Sequence, residues 1–342
     1  MGSEMCIRDR IDIALFGLGR IGIMHGKNLM RSKDFNLKYI YDIEQKLSKR
    51  YSKILKTKTI NNPSVAYKDK DVKAIFIAST TSTHIRFILD GIKNRKIIFC
   101  EKPLDLSIKK IESCKKKIKR LNPKIQLGFN RRYDPTHNSL KKQLLSGKIG
   151  KLEKIIITSR DPAPPTMKYL KESGGIFRDM MIHDFDLVRF YLGNDEPAKI
   201  IASGSNISDK RFDKIKDFEL ASTIIRSKAG VQCIITNSRH CSFGYDQRIE
   251  LFGSKGMLIS ENKRQNETSL YSAQSTSNKS PLLNFFIERY KDAYKNQLKD
   301  FAKFIRKKIQ PLAGFEEGRK ALIIANAAQK SLRSKKFEKL NL

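Results

Sequence analysis

Residues 11–22 read IDIALFGLGRIG, and this stretch decides the fold of the N-terminal part of the chain. Its first six residues are mostly apolar and predict a buried strand. The pattern GxGxxG follows at Gly17, Gly19 and Gly22, and helix-like sequence comes next. A strand, a glycine turn and a helix in this order are typical of a dinucleotide-binding unit.

Each glycine of the pattern has its own physical role. Gly17 makes the tight turn, Gly19 lets the backbone approach a pyrophosphate, and Gly22 lets the helix and the strand pack closely. Arg20 and Ile21 complete the turn, where the helix N-terminus faces the negative phosphates. The alternative is a glycine-rich turn that binds nothing.

Asp42 stands 20 residues after Gly22, at the end of the next predicted strand. A carboxylate there can accept hydrogen bonds from both adenosine ribose hydroxyls, and it would repel a 2′-phosphate. Lys46 and Lys49 are close enough in the sequence to reduce the preference for NAD over NADP. The sequence therefore predicts NAD, in preference to NADP, as the cofactor.

Alternating strands and helices continue to residue 129, which predicts a parallel sheet covered on both faces. The further strands are predicted at 37–41, 74–78, 97–100 and 124–128, with helices at 44–55 and 83–94. Thr80 and His84 follow one of these strands, and Glu101 follows another, so we expect all three to lie beside the cofactor. The first domain is therefore an α/β Rossmann domain over residues 11–129.

After about residue 130 the strands follow one another with little helix between them, which predicts an α+β domain on a mostly antiparallel open sheet over residues 130–342. The strands are predicted at 154–158, 198–205, 222–227, 230–237 and 248–253. The helices are predicted at 174–192, ended by Gly193, at 282–307 and at 316–333, and residues 262–280 are predicted to form a loop.

Lys102 is the first catalytic candidate. It lies in Glu101-Lys102-Pro103, directly after a predicted parallel strand, at the sheet edge where ligands bind in open α/β folds. Pro103 stiffens the backbone and fixes the direction of the amine. Since the chain is rich in lysine, an ordinary surface charge is the alternative.

Asp179, His183 and Asp186 are spaced by four and three residues, so they share one face of the helix predicted at 174–192. The surrounding positions are apolar, which predicts burial of the helix. A histidine beside a carboxylate is suited to general-base catalysis because its ordinary pKa is about 6.5. The alternative is a core histidine that Asp179 satisfies without any substrate.

The other histidines and the cysteines predict little chemistry. His25 lies on the helix after the glycine turn, near the expected cofactor, while His137 and His240 have no evident partner. The five cysteines include no CxxC pair and no regular spacing. We expect no metal site and no disulfides, and a reducing cytoplasm as the location.

Lys and Arg total 69 against 35 Asp and Glu, which gives a net charge of +34. A charge of this size is compatible with binding to nucleic acid or to a membrane surface. The lysines, however, are spread over almost every predicted helix, and no nucleic-acid motif accompanies them. Ile, Asn and Lys, which A/T-rich codons encode, are abundant together, so the charge is better explained by the base composition of the coding DNA. No stretch approaches the roughly 18 uninterrupted apolar residues of a membrane span. We expect neither nucleic acid nor a membrane as a specific partner.

Residues 1–10 lack the apolar core of a signal peptide. Residues 5–9 translate back to a sequence that looks like sequencing-adapter DNA. We expect this segment to be a non-native leader.

Three motifs in this order resemble the glucose-fructose oxidoreductase/inositol dehydrogenase/rhizopine catabolism (Gfo/Idh/MocA) family. They are GLGRIG with His25 behind it, the EKP at 101–103, and GGIFRDMMIHDFDLVRFYLG at 174–193. Within the family, SRDPAPP at 159–165, GFNRRYDP at 128–135 and GYDQRIELFGSKG at 244–256 look like the inositol 2-dehydrogenase branch.

The resemblance implies a catalytic group made of Lys102, Asp179 and His183, which also contact the substrate. Matching positions imply that Asp161, Asp186 and Tyr245 reach substrate hydroxyls. The reaction implied is NAD-dependent oxidation of myo-inositol to 2-keto-myo-inositol, with the proton leaving through His183.

The resemblance also implies a dimer or tetramer assembled through the C-terminal sheet. Two alternatives stay open for the function. One is a related dehydrogenase for another inositol isomer, an amino-inositol derivative or an aldose, and the other is an inactive protein that binds a cofactor or a polyanion.

Overall fold

The computed structural model describes residues 10–342, which divide into two compact units. The first unit contains residues 10–129 and Lys295–Arg319, and the second contains Asn130–Tyr294 and Lys320–Leu342. Within the described residues, no helix combines the length and the apolar character needed to cross a membrane.

The predicted leader lies outside the described residues except for Arg10. The guanidinium Nε of Arg10 donates to the Phe35 carbonyl at 2.8 Å. Whether residues 1–10 are non-native stays a prediction.

Residues 10–129 form six strands with helices between them. The strands are β1 (Ile11–Phe16), β2 (Phe35–Tyr41), β3 (Lys58–Thr59), β4 (Ala74–Ile77), β5 (Ile97–Cys100) and β6 (Ile125–Leu127), and the helices are α1 (Arg20–Arg31), α2 (Gln45–Leu55), α3 (Ser64–Lys68), α4 (Thr81–Lys93) and α5 (Ile108–Ile118). The sheet has the order β3-β2-β1-β4-β5-β6, and its pairs are parallel. The predicted Rossmann domain is confirmed, and the strand order reverses between β1 and β4, where such sheets bind ligands.

The rest of the chain begins with short helices around a second sheet. Its elements are α6 (Pro135–Leu145), β7 (Leu152–Arg160), α7 (Met167–Ser173), α8 (Ile176–Asp179), α9 (Ile182–Leu192), β8 (Pro197–Ser205), β9 (Leu220–Ser227), β10 (Gln232–Ser238), β11 (Asp246–Gly253), β12 (Gly256–Ser260), β13 (Ser269–Ser272), β14 (Ser275–Lys279), α10 (Phe286–Arg289), α11 (Lys291–Ile305), α12 (Phe315–Ser334) and β15 (Glu338–Lys339).

The second sheet has the order β12-β11-β7-β10-β9-β8-β15. Its strand pairs are antiparallel except for β7 and β10, which run parallel. This confirms the mostly antiparallel open sheet. One face of it carries buried isoleucines such as Ile155, Ile225 and Ile235, which belong to one core with α9 and residues of α12.

Helix α11 has its apolar face in the core of the first unit. Leu298, Phe301 and Phe304 are buried there, and the Phe301 ring lies 5.5 Å from that of Phe99. The sequence prediction assigned this part of the chain to the second domain by its position along the chain. The structure shows that burial of these aromatic side chains places residues 295–319 with the first unit instead.

Three local predictions in the second part of the chain differ from the structure. The helix predicted at 174–192 is two helices, α8 and α9, and the helix predicted at 282–307 is also two, α10 and α11. The loop predicted at 262–280 contains the hairpin of β13 and β14. The prediction for Gly193 is confirmed, since this glycine ends α9 at φ 67°.

Candidate active site

The glycine loop after β1 is shaped by contacts between backbone atoms. Gly17 has φ 96°, and a Cβ on it would lie 2.4 Å from the Ser79 backbone. A Cβ on Gly22 would lie 2.0 Å from the Gly17 carbonyl oxygen. No atom lies within 4 Å of the position a Cβ would take on Gly19. Gly17 and Gly22 are therefore required by the protein itself, whereas the open space at Gly19 fits the approach of a ligand.

Helix α1 begins directly after this loop, with Gly19 at its N-cap and Arg20 and Ile21 in its first turn. No side-chain hydrogen bond caps this end, and its first turn has no acidic residue. The first N–H groups of a helix have no partner within it, and together with the positive end of the helix dipole they favour an anion such as a pyrophosphate.

Asp42 follows β2 and holds the same loop. Its Oδ2 accepts the Leu18 N–H at 2.7 Å, and its Oδ1 accepts the Glu44 N–H at 2.9 Å. These two bonds fix the plane of the carboxylate beside the glycine turn. A carboxylate has about four acceptor sites, so its two oxygens can still accept two ribose hydroxyls.

The turns after β4 and β5 are connected by His84. Its Nδ1 lies 2.8 Å from the Pro103 carbonyl and its Nε2 lies 3.0 Å from the Ser79 carbonyl. Burial lowers the pKa of His84, so the ring is neutral and donates to one carbonyl at a time. In this structure His84 supports the strand ends, while Thr80 is the N-cap residue of α4.

Glu101 fixes the backbone of Lys102 at the carboxyl end of β5. Its Oε1 lies 2.7 Å from Nε2 of His25, and its Oε2 accepts the Lys102 N–H at 3.2 Å. A Cβ on Gly128 would lie 2.7 Å from the same Oε2, so this glycine makes room for the carboxylate. The Lys102–Pro103 peptide bond is cis. Sequence reasoning missed the bond between His25 and Glu101.

In the second unit, Asp179 and His183 lie on either side of a break in the predicted helix. The Met181 N–H bonds to the Ile176 carbonyl five residues back, and the His183 N–H bonds to the Met180 carbonyl only three residues back. One wide turn is thus followed by one tight turn. Asp179 ends α8, and His183 is the second residue of α9, so the regular i, i+4 geometry assumed from the sequence is not present.

The carboxylate of Asp179 accepts hydrogen bonds from two directions. The hydroxyl of Tyr169 on α7 donates to Oδ1 at 2.7 Å, and Nη1 of Arg239 donates to Oδ2 at 3.3 Å. Sequence reasoning identified neither partner. Arg239 comes directly after β10, 60 residues from Asp179, and no local pattern links the two.

Asp161 comes directly after β7, and its N–H bonds to the Ser238 carbonyl at 2.9 Å. Because β7 and β10 are parallel, Asp161 and Arg239 both lie at the same end of the sheet. Desolvation raises the pKa of Asp161 to about 6, and the charge of Arg239 opposes that rise. The charge of Asp179 raises the same pKa, so these three residues share one electrostatic environment.

Asp186 is held inside the second unit by a two-point ion pair. Its oxygens accept Nε of Arg132 at 2.8 Å and Nη2 at 2.7 Å, and both side chains are buried. Asp184 likewise accepts from Arg131 at 2.5 Å. Tyr245 is buried too, and burial raises the pKa of its hydroxyl well above the usual range.

The candidate residues fall into two sets by unit. The glycine loop, Asp42, Thr80, His84, Glu101 and Lys102 belong to the first unit, and Asp161, Asp179, His183, Asp186 and Tyr245 belong to the second. In the first unit the structure brings Asp42 to the glycine loop and His84 to the backbone after Lys102. In the second it brings Asp161 and Asp179 to Arg239.

This fold and these site residues define an oxidoreductase with a dinucleotide-binding unit. Residues 11–129 match the family model described as oxidoreductase family, NAD-binding Rossmann fold, and residues 137–259 match the GFO/IDH/MocA C-terminal domain. The chain belongs to the Gfo/Idh/MocA family of oxidoreductases, and its cofactor is NAD.

Several relatives are similar over nearly the whole chain. A myo-inositol 2-dehydrogenase of Thermotoga maritima is 39% identical over 96% of this chain and 98% of its own. A myo-inositol dehydrogenase structure from Corynebacterium glutamicum is 39% identical, with a TM-score of 0.93 over 97% of this chain and 99% of its own. A scyllo-inositol dehydrogenase from Lactobacillus casei, with bound NAD(H) and scyllo-inositol, is 27% identical, with a TM-score of 0.90 over 97% of this chain and 99% of its own.

Replacing Asp42 by Ala is expected to weaken NAD binding by roughly 10- to 100-fold, because hydrogen bonds to a charged group contribute about 1.5–3 kcal/mol. NADP binding should fall less, since the repulsion of its 2′-phosphate is lost as well. The change in NADH and NADPH fluorescence on titration with protein measures both affinities, since the chain has no tryptophan. The control is Asp71→Ala, which removes an exposed aspartate of the same unit. An unchanged affinity for NAD in Asp42→Ala would contradict the ribose assignment.

Proposed function

We propose that the protein oxidises a ring hydroxyl of myo-inositol to the ketone 2-keto-myo-inositol, with NAD as the hydride acceptor. The observation that carries this proposal is the combination of the NAD-binding loop with Lys102, Asp179 and His183 at the positions of the family motif. The inositol dehydrogenases among the relatives supply the substrate class. We further propose a cytoplasmic role in inositol catabolism.

The reaction requires one proton and one hydride to leave the carbinol group. NAD, held by the glycine loop and Asp42, would supply the acceptor for the hydride of the carbinol carbon. In our proposal, Nε2 or Nδ1 of His183 takes the hydroxyl proton as the general base. Asp179 orients the ring and stabilises its protonated form, and the ammonium of Lys102 stabilises the developing negative charge on oxygen.

The remaining polar residues are proposed to select the substrate by its other hydroxyls. Asp161, with its pKa of about 6, is ionised above that pH and accepts hydrogen bonds from a polyol. Tyr245 stays protonated and can donate. Asp186, which Arg132 holds by two hydrogen bonds, is proposed on the resemblance alone.

The substrate proposal is tested by NADH formation at 340 nm with NAD or NADP. The panel contains myo-, scyllo- and chiro-inositol, glucose, xylose and a blank without substrate. We expect the highest kcat/KM with myo-inositol and NAD. A preference for scyllo-inositol or for an aldose would be consistent with the proposed type of reaction but would contradict myo-inositol as the substrate. Bound NADH without turnover on any polyol would favour a binding protein instead.

Replacing His183 by Ala is expected to lower kcat by roughly 10² to 10⁴, the usual contribution of general-base catalysis. The affinity for NADH should stay close to the wild-type value, because the NAD-binding loop lies in the other unit. His240→Ala is the matched control, since His240 is an exposed histidine of the second unit. Wild-type turnover in His183→Ala would overturn the assignment of the base.

We also propose that the protein is a homo-oligomer, a dimer or tetramer, that assembles through the second sheet. The sheet face opposite the buried isoleucines carries an apolar row across neighbouring strands. In register, Ile201 pairs with Ile224, Ile224 with Ile234, and Ile234 with Ile156. Ile224 is 45% exposed, and Ile259 on β12 is 51% exposed. Apolar patches of this kind mark interaction surfaces.

The double variant Ile224→Lys/Ile259→Lys is expected to shift the assembly to smaller species, because it would bury two charges in an apolar contact. Sedimentation velocity measures the mass of the assembly. The control is Ile207→Lys, which changes an isoleucine that is 72% exposed and lies outside the sheet. A monomeric wild type, or a double variant that assembles normally, would contradict this interface.

A further inference from the structure

Arg239 is a deeply buried charged side chain that comes directly after β10. Its side chain is 1% exposed. Its Nη1 lies 3.3 Å from Oδ2 of Asp179, and its Nη2 lies 3.6 Å from Oδ2 of Asp217. One guanidinium is thus shared between two carboxylates, and Asp161 feels its charge as well.

The two carboxylates that share Arg239 lie at opposite ends of the four-residue helix α8. Asp217 Oδ1 accepts the Ile176 N–H at 2.8 Å at the start of the helix, and Asp179 is its last residue. A Cβ on Gly175 would lie 2.9 Å from Asp217 Oδ1, so glycine at this position makes room for the contact. Arg239 therefore contacts carboxylates at both ends of α8. These contacts fix the position of Asp179 at the end of the helix.

Other buried arginines of the second unit make much tighter pairs. Arg289 lies 2.7 Å from Asp134, and both of these side chains are at most 1% exposed. The Arg132 pair with Asp186 has contacts of 2.7 and 2.8 Å. Each of these arginines neutralises one carboxylate, as expected for a structural pair. Arg239 instead faces Asp179, Asp217 and Asp161 with a single positive charge, and its contacts are longer.

We propose that Arg239 is a positioning residue, which holds Asp179 in its ionised form and in the orientation that His183 requires. This role rests on the proposed function. Without the guanidinium, three carboxylates would face one another inside the protein, and one of them would take up a proton. A protonated Asp179 is no longer an anionic acceptor, so it would not stabilise the imidazolium formed when His183 takes the substrate proton.

The charged and titratable groups around these carboxylates come from several elements. They are Tyr169 of α7, Asp161 after β7, His183 of α9, Asp217 before β9 and Arg239 after β10, with Arg131 and Asp184 acting on Asp161 and with Asp209, Arg211, Glu219 and His240 lining the cavity beside Arg239. These groups include more negative than positive charges. Removal of one positive charge should therefore raise the pH at which the carboxylates ionise.

The test compares Arg239→Gln, which keeps a hydrogen-bond donor without charge, with Arg239→Lys, which keeps the charge. In Arg239→Gln, the acid limb of kcat against pH should move upward by roughly one to three pH units, the usual effect of an adjacent charge. At neutral pH, kcat should fall by up to roughly 100-fold, with NADH affinity unchanged. In Arg239→Lys the acid limb should stay near its wild-type position.

The variant Asp217→Asn is expected to move the acid limb in the opposite direction. It keeps an oxygen for the Ile176 N–H but removes the charge that competes for Arg239, so the acid limb should move to lower pH. Arg289→Gln is the matched structural control, because it breaks an equally buried pair of the same unit. It should lower the Tm and leave the acid limb in place. An unmoved acid limb in both Arg239→Gln and Asp217→Asn would overturn the role of Arg239.

Protonation can also be followed without turnover, which separates this proposal from the proposed function. The ¹³C signal of the Asp179 carboxyl, assigned with Asp179→Asn, reports its titration directly. Its midpoint should rise in Arg239→Gln and fall in Asp217→Asn. A wild type that oxidises no polyol would overturn the proposed function alone, whereas a midpoint that stays constant in both variants would overturn the Arg239 proposal alone.

Discussion

The close approach of the backbone at Gly17 to the turn after β4 is the constraint on which the first unit depends. Any side chain at Gly17 would collide with Ser79, and any side chain at Gly22 would collide with Gly17 itself. Because β1, β4 and α1 pack at this distance, the N-terminus of α1 meets the strand ends where the sheet order reverses. The position of this helix N-terminus, which favours an anion, is therefore a direct consequence of packing, and Asp42 is held against the same loop by the Leu18 N–H.

The second unit depends on a different constraint, the single parallel pair within an antiparallel sheet. If β7 and β10 were antiparallel, Asp161 and Arg239 would emerge at opposite ends of the sheet. Their parallel register brings both residues to the same end of the sheet, where the Asp161 N–H donates to the Ser238 carbonyl, next to Arg239, at 2.9 Å. The cluster of carboxylates around Arg239 is thus built by strand topology and completed by α8.

The sequence was sufficient for features that depend on local pattern. The glycine loop, Asp42 at the end of β2, Lys102 at the end of β5 and the two sheet types follow from spacing and from strand and helix periodicity, and the structure has them in place. The break between α8 and α9 could not be predicted, because residues 179–183 contain no glycine or proline that would interrupt a helix.

The hydrogen-bond partners of Asp179 could not be predicted from the sequence for another reason. Tyr169 lies on a short helix that was not predicted, and Arg239 is brought in by strand order. Likewise, α11 joins the first core although it follows the second sheet in the chain, because Phe301 fits against Phe35 and Phe99. Such contacts depend on tertiary packing, which no window of sequence contains.

The raised pKa of Asp161 makes the stability of the fold depend on pH. Its pKa is about 6 in the folded protein against 3.8 as the ordinary value. Between these two pH values the folded protein binds a proton that the unfolded chain has released, so stability falls as pH rises through this range. At neutral pH the ionised Asp161 therefore destabilises the fold. Carboxylates whose pKa is raised at a cost in stability are more frequent in functional sites than elsewhere, which supports the substrate-binding role proposed for Asp161 beside Asp179 and Arg239.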